Sequence, residues 1–89
     1  MKSVVTKSFR ALLSELPINI QEKANDAYLQ FQQNPNHPSL RFKKVHSALP
    51  IYSARITKNY RAVGQLDEDV AIWFWIGSHK EYERLLSQL

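Results

Sequence analysis

A chain of 89 residues is the length of one small domain, near the lower limit for a fold held by a hydrophobic core alone. Its 44 % hydrophobic residues and only two glycines exclude an intrinsically disordered segment. The lack of cysteine excludes a disulfide framework, a thiolate metal site and a cysteine nucleophile, and the net charge of +4 favours an anionic partner without specifying one.

Residues 3 to 6 (Ser-Val-Val-Thr) read as a short first strand. Phe9, Leu12, Leu13 and Leu16 then recur at helical spacing, and Pro17 ends that helix because the residue before a proline is driven from the helical region. A second helix follows to about Gln33, with Ile20, Ala24, Ala27, Tyr28 and Phe31 as its apolar face. Asn19 with Glu22 is a candidate capping box for it, and Pro17 also suits a first turn. Together they predict a helical hairpin over about 8–33. Asn34 to Ser39, with two prolines, extends no helix.

Four strands are predicted next, at about 40–46, 51–57, 60–66 and 69–76, spaced for antiparallel hairpins. The last, from Val70 to Ile76, is apolar on both faces, which predicts a central position. Ser78 and Glu81 form a capping box opening a final helix over about 79–88, with Tyr82, Leu85, Leu86 and Leu89 as its stripe. The fold class is α+β in one domain, residues 1–89: a helical hairpin on one face of a small antiparallel-rich sheet, the other face partly open. The longest apolar run, Val70 to Gly77, is far too short to cross a bilayer, and no signal peptide is visible. The expected location is the cytoplasm, without membrane contact.

Charge is concentrated in the strand region. Arg41, Lys43, Lys44, Arg55, Lys58 and Arg61 fall in a stretch without a single acidic residue, whereas the remaining 68 residues hold six basic and eight acidic ones. A run of positive charge mounted on a sheet is a candidate polyanion surface.

The chain resembles the RelE/ParE superfamily, the toxins of bacterial type II toxin–antitoxin pairs, over nearly its full length. The resemblance rests on Leu16-Pro17 at the helical corner, Pro38-Ser39-Leu40 before Phe42-Lys43-Lys44, Tyr52-Ser53-Ala54-Arg55-Ile56, Tyr60-Arg61-Ala62-Val63, and Ile76-Gly77-Ser78-His79-Lys80-Glu81-Tyr82. It implies one of two activities. RelE-, YoeB- and HigB-like members are ribosome-dependent mRNA endonucleases, in which a ribose 2′-hydroxyl attacks the adjacent phosphate in line, without metal or cofactor. ParE-like members are non-enzymatic inhibitors of DNA gyrase, and a catalytically degenerate member of the fold that only binds belongs with this alternative. Either implies a cognate acidic antitoxin as partner; the first adds the ribosome and mRNA.

The in-line reaction needs a base for the 2′-hydroxyl, cations for the phosphoryl oxygens and an acid for the leaving oxygen. By resemblance, Arg55 and Arg61 are the phosphate-binding arginines, a role that suits the guanidinium fork; the plain alternative is solvated strand charge. Alternation sets Arg55 opposite Tyr52, Ala54 and Ile56, off the face the helices would cover. Whether Arg61 shares that side depends on the register through the turn at Lys58–Asn59. Lys43 and Lys44 match the paired lysines of RelE-like members, but successive strand residues face opposite ways, so one of them is expected in the cleft. His46 lies near the position of a YoeB-like catalytic glutamate and is a candidate base or an exposed strand-end histidine. His79 and Tyr82 match a region that carries a His or Tyr near the scissile phosphate. His79 stands in a helix first turn, where N–H groups favour an anion; Tyr82 also belongs to the apolar stripe, and Glu81 is explained by capping. Arg41 and Lys58 complete the candidate nucleic-acid surface. Trp73 and Trp75, two residues apart, are expected to share one face as core or a partner ledge rather than stack on bases. The isolated histidines and the Asp67-Glu68-Asp69 turn predict no metal site.

Overall fold

The alternation of small and large residues along the last three strands sets the frame of the molecule. The computed structural model describes residues 1–89. β1 (Lys2–Val5) leads into α1 (Lys7–Ser14) and α2 (Ile18–Gln33), and a 3₁₀ turn at Pro38–Leu40 precedes β2 (Lys43–Lys44). β3 (Ile51–Thr57), β4 (Tyr60–Asp67), β5 (Val70–Ser78) and α3 (His79–Gln88) complete the order. The strands form one sheet in the order β1-β5-β4-β3-β2, with β1 parallel to β5 and all other neighbours antiparallel. The α+β prediction holds, and β5 is an interior strand, although β4 takes the middle place.

One face of the sheet carries Ala54, Ala62, Ala71, Trp73 and Ile76, which bury against Phe9 of α1, Ala24 and Phe31 of α2, and Leu40. Aromatic edges lock this layer: Phe31 lies 4.9 Å from Phe42 and 5.2 Å from Trp73, both edge-on, and Phe42 stacks on Tyr52 at 5.0 Å. Each such pair adds about 0.5–1.5 kcal/mol beyond its buried area. β1 is tied in through Ser3, whose hydroxyl accepts from Trp73 Nε1 at 2.8 Å while its carbonyl accepts from the Tyr28 hydroxyl at 2.8 Å. The other face carries Ile51, Val63 and the half-buried Phe74 and Trp75, and α3 lies across it through Tyr82, Leu85 and Leu86. That face is therefore partly covered, not open along its whole length.

Three local expectations are corrected. The Asn19–Glu22 capping box is not formed: α2 starts at Ile18 with Pro17 at the cap, so Asn19 already lies inside the first turn. The corner is instead fastened by Gln21, whose Nε2 donates to the Leu16 carbonyl at 2.9 Å and the Ser14 carbonyl at 3.3 Å. The strand predicted at 40–46 shrinks to Lys43–Lys44, because Leu40 and Phe42 both turn into the core and Arg41 between them adopts left-handed backbone, φ 44°. Finally, Trp73 and Trp75 do not share a face. The β4–β5 register jumps from Val63↔Trp75 to Gly64↔Trp73, leaving Phe74 as an extra residue in β5. The bulge sends Trp73 toward α1 and α2, and Phe74 and Trp75 toward α3. Gly64 is required opposite it, since a Cβ there would lie 2.8 Å from Trp73 Cε3.

Candidate nucleic-acid interface

A second irregularity builds the site. β3 and β4 pair Thr57 with Tyr60 and then Arg55 with Arg61, so Ile56 is skipped. A regular hairpin would have set Arg61 opposite Ile56, on the face beneath α1 and α2. The skipped residue moves Arg61 to the α3 side, directly across from Arg55. Their neighbours agree: Ala54 and Ala62 lie in the core beneath α1 and α2, Val63 in the core beneath α3.

Like charges placed directly opposite each other on adjacent strands are destabilising, by about 0.2–1 kcal/mol. No carboxylate compensates this pair, since the protein's one ion pair is His79–Glu83. Arg61 is held by backbone instead: its Nη1 donates to the carbonyls of Thr57 at 2.7 Å, Tyr60 at 3.0 Å and Lys58 at 3.2 Å. Burial, then the Arg55 charge, push the Arg61 guanidinium below its ordinary value; Arg41 acts in the same direction and Tyr82 opposes. A guanidinium remains cationic at neutral pH under such a shift. Arg41, Arg55 and Arg61 thus form an uncompensated cationic corner.

Lys43 pairs with Ser53 and so faces the α3 side with Arg55, whereas Lys44 pairs with Tyr52 and faces the other way. Only Lys43 joins the corner. Lys58 is exposed in the β3–β4 turn. His79 opens α3 beside the same turn, its backbone N–H donating to the Asn59 carbonyl at 2.7 Å. The turn that holds the Arg61 guanidinium therefore also anchors His79. The His79 Nδ1 lies 3.0 Å from the Glu83 carboxylate, one helical turn on. With Nδ1–H donated there, the neutral imidazole presents its free lone pair at Nε2.

Two of the candidate residues also have structural duties. The ring of His46 accepts at Nδ1 from the N–H groups of Ala48 (3.0 Å) and Leu49 (2.8 Å), and its Nε2 donates to the Leu89 carbonyl at 3.3 Å. Both nitrogens are engaged, so His46 fastens the β2–β3 loop to the end of α3. Tyr82 is 6 % exposed, and its hydroxyl donates to Ser53 Oγ at 3.1 Å. It is foremost a core residue, with its polar end toward the arginine side. The capping box is present as expected: Ser78 Oγ accepts from the Glu81 N–H, and the Glu81 carboxylate accepts from the Ser78 N–H and hydroxyl. Glu81 thereby occupies part of the helix start that would otherwise attract an anion.

Sequence reasoning missed Ser53 and Glu83. Ser53 shares its alternation side with Arg55 and Thr57, and nothing in the sequence marked it as the buried polar residue among them; Glu83, four residues after His79, was legible only as a helix-surface charge.

The ParE-like toxin domain family model matches residues 18–84. The fold is similar to the RelB–RelE antitoxin–toxin complex of Methanococcus jannaschii, with a TM-score of 0.75 and 19 % identity over 92 % of this chain and 96 % of that one. It is similar also to the RelBE2 toxin–antitoxin complex of Mycobacterium tuberculosis, at 0.71 and 18 % over 88 % and 96 %. A third likeness is the YoeB/ParE toxin of Agrobacterium tumefaciens, at 0.69 and 20 % over 89 % and 99 %. No curated protein matches. At these identities, the structural likeness is one of fold.

Proposed function

The chain belongs to the ParE-like toxin domain family of type II toxin–antitoxin systems, and on that premise we propose that it is a metal-independent endoribonuclease that cuts mRNA on the ribosome. The observation that carries this reading is the Arg55–Arg61 pair, opposed across β3 and β4 with no carboxylate partner. Two adjacent guanidiniums destabilise the empty fold and are relieved by an anion between or beside them. A phosphodiester, with oxygens for two forks, meets that demand.

In the proposed step the 2′-oxygen attacks phosphorus, its proton passes to a base, the P–O5′ bond breaks, and the departing O5′ takes a proton. The products are a 2′,3′-cyclic phosphate and a free 5′-hydroxyl. Arg55, Arg61 and Arg41 hold the phosphoryl oxygens as charge develops on them. His79 is the proton-transfer group, acting through Nε2, and Lys43 neutralises the attacking oxygen. His46 has no part in it. The partner that keeps such a surface in check is an acidic antitoxin, in keeping with the RelB–RelE and RelBE2 complexes of the same fold. The compartment is the cytoplasm, where ribosome and mRNA meet.

The engagement of both His46 nitrogens supports a second reading, because it leaves the β2 end of the site without a base. On it the cationic corner binds without cutting, as in gyrase inhibition. A translation extract with a defined mRNA separates the two when the protein is set beside the Arg55→Ala, Arg61→Ala double variant. Discrete 5′ ends inside translated codons that vanish in the variant establish the nuclease. Intact mRNA with a folded protein refutes it, and gyrase supercoiling is then the assay.

A further inference from the structure

On the opposite side of the sheet from the arginines, the helical layer is not filled. On this side α1 packs mainly on β5 and α2 mainly on β3, with the middle strand β4 between them. The sheet lines this place with Ala54 and Ala62 beside Ile56 and Trp73, and α2 faces it with the short side chains of Ala24 and Ala27. A cavity of about 290 Å³ remains between the helices, lined by 14 residues of which 12 are hydrophobic, and it opens to the surface. Protein interiors are otherwise close-packed, and atoms lining a void forfeit dispersion contacts. An apolar cavity of about 150 Å³ is enough to stay dry and admit benzene. This one is larger.

The polar groups of the lining are Arg10 on α1 and Asn25 on α2. Arg10 is exposed, its guanidinium makes no hydrogen bond within the protein, and neither Glu22 nor Asp26 of α2 forms an ion pair with it. An apolar chamber with one unpaired cation on its lining selects a particular ligand chemistry: a hydrocarbon body ending in a carboxylate. We propose that this cavity is a binding site for a small apolar carboxylic acid, its tail over Ala54 and Ala62 and its carboxylate at Arg10. Such a ligand bridges α1 and α2 and does not touch the cationic corner, so the site stands whether or not the nuclease reading does.

The test is a nuclear magnetic resonance titration of the full chain with octanoate, beside octan-1-ol and octylammonium. Octanoate is expected to give saturable shifts at the methyls of Ala24, Ala54 and Ala62, with octanol weaker and octylammonium weakest. Arg10→Gln should lower octanoate affinity by about two- to five-fold, the range for an exposed charge pair, and leave octanol unchanged. Ala62→Leu, which fills the cavity from the sheet, should abolish the shifts. If that variant disturbs the strand register, Ala27→Leu does the same from α2. The inference is overturned if octanoate shifts only Arg55 and Arg61, if octanoate and octanol bind alike to the wild type, or if no shift saturates.

Discussion

Arg55 and Arg61 share a proposed role, yet their removal should move stability in opposite directions. Arg55→Gln keeps much of the apolar stem and deletes one of two opposed charges, and Arg55 gives up no hydrogen bond made within the protein. Relief of a like-charge cross-strand pair is about 0.2–1 kcal/mol, so the variant should be more stable by that amount. Arg61→Gln gains the same relief but loses the Nη1 donations to Thr57, Tyr60 and Lys58. Hydrogen bonds from a charged donor are worth about 1.5–3 kcal/mol, and these border solvent, so the lower end applies and a net loss of about 1 kcal/mol follows. In a domain of this size about 1 kcal/mol corresponds to about 4–8 °C in Tm. Thermal and urea melts at neutral pH and low ionic strength should therefore bracket the wild type, with Arg55→Gln above and Arg61→Gln below. Added salt should shrink the Arg55→Gln gain, because screening removes the repulsion already. If both variants shift the same way, the skipped residue at Ile56 does not set the two charges against each other, and the account of the site fails.

Tyr82→Phe should cost about 1–3 kcal/mol by urea melt, since it strands the hydroxyl of Ser53, which is only 2 % exposed. Adding Ser53→Ala should recover part of that loss; strict additivity of the two changes would show that the bond is not made. Gly77→Ala should destabilise by about 1–3 kcal/mol, because the new Cβ would stand 2.6 Å from Trp75 Cζ2 and the indole must move. A wild-type midpoint with a displaced tryptophan emission would mean that the ring yields freely. The bonds from Ser78 hold the Glu81 carboxyl below its ordinary value. A depressed folded value means the stabilisation is present above the ordinary carboxylate range and fades as pH falls through the folded value. The stability gap between wild type and Glu81→Gln should accordingly narrow in acid, and a gap constant with pH would dismiss the capping bonds as its source.

The elements that could be read from the sequence are those whose period is undisturbed. Arg55 was placed on the right side because Tyr52, Ala54 and Ile56 alternate cleanly around it. Arg61 was not, because its side is decided by one skipped residue, and a β-bulge at Ile56 leaves no mark in composition. The same holds for Trp73 and Trp75, whose separation by two implies one face until Phe74 is counted as extra. The bonds of His46 were not legible for a different reason: the N–H groups that donate to its Nδ1 are fixed by a loop conformation that no residue type announces. The Ser78–Glu81 box, by contrast, is a local pattern with a local cause, and it appears as expected.

The parallel pairing of β1 with β5 has a bearing on when this domain can exist. Lys2 meets Val70 and Val5 meets Trp73, so β1 has its only sheet neighbour in β5, with the other three strands between them in chain order. Until Val70–Ser78 has emerged from the ribosome, β4 is an edge with a whole row of unpaired backbone groups, and Trp73 cannot join Phe31. Contacts closed over such separations form slowly compared with local ones. A nascent chain of this kind carries its arginines early but has no finished platform for them, and becomes the folded domain only as its closing strand is delivered.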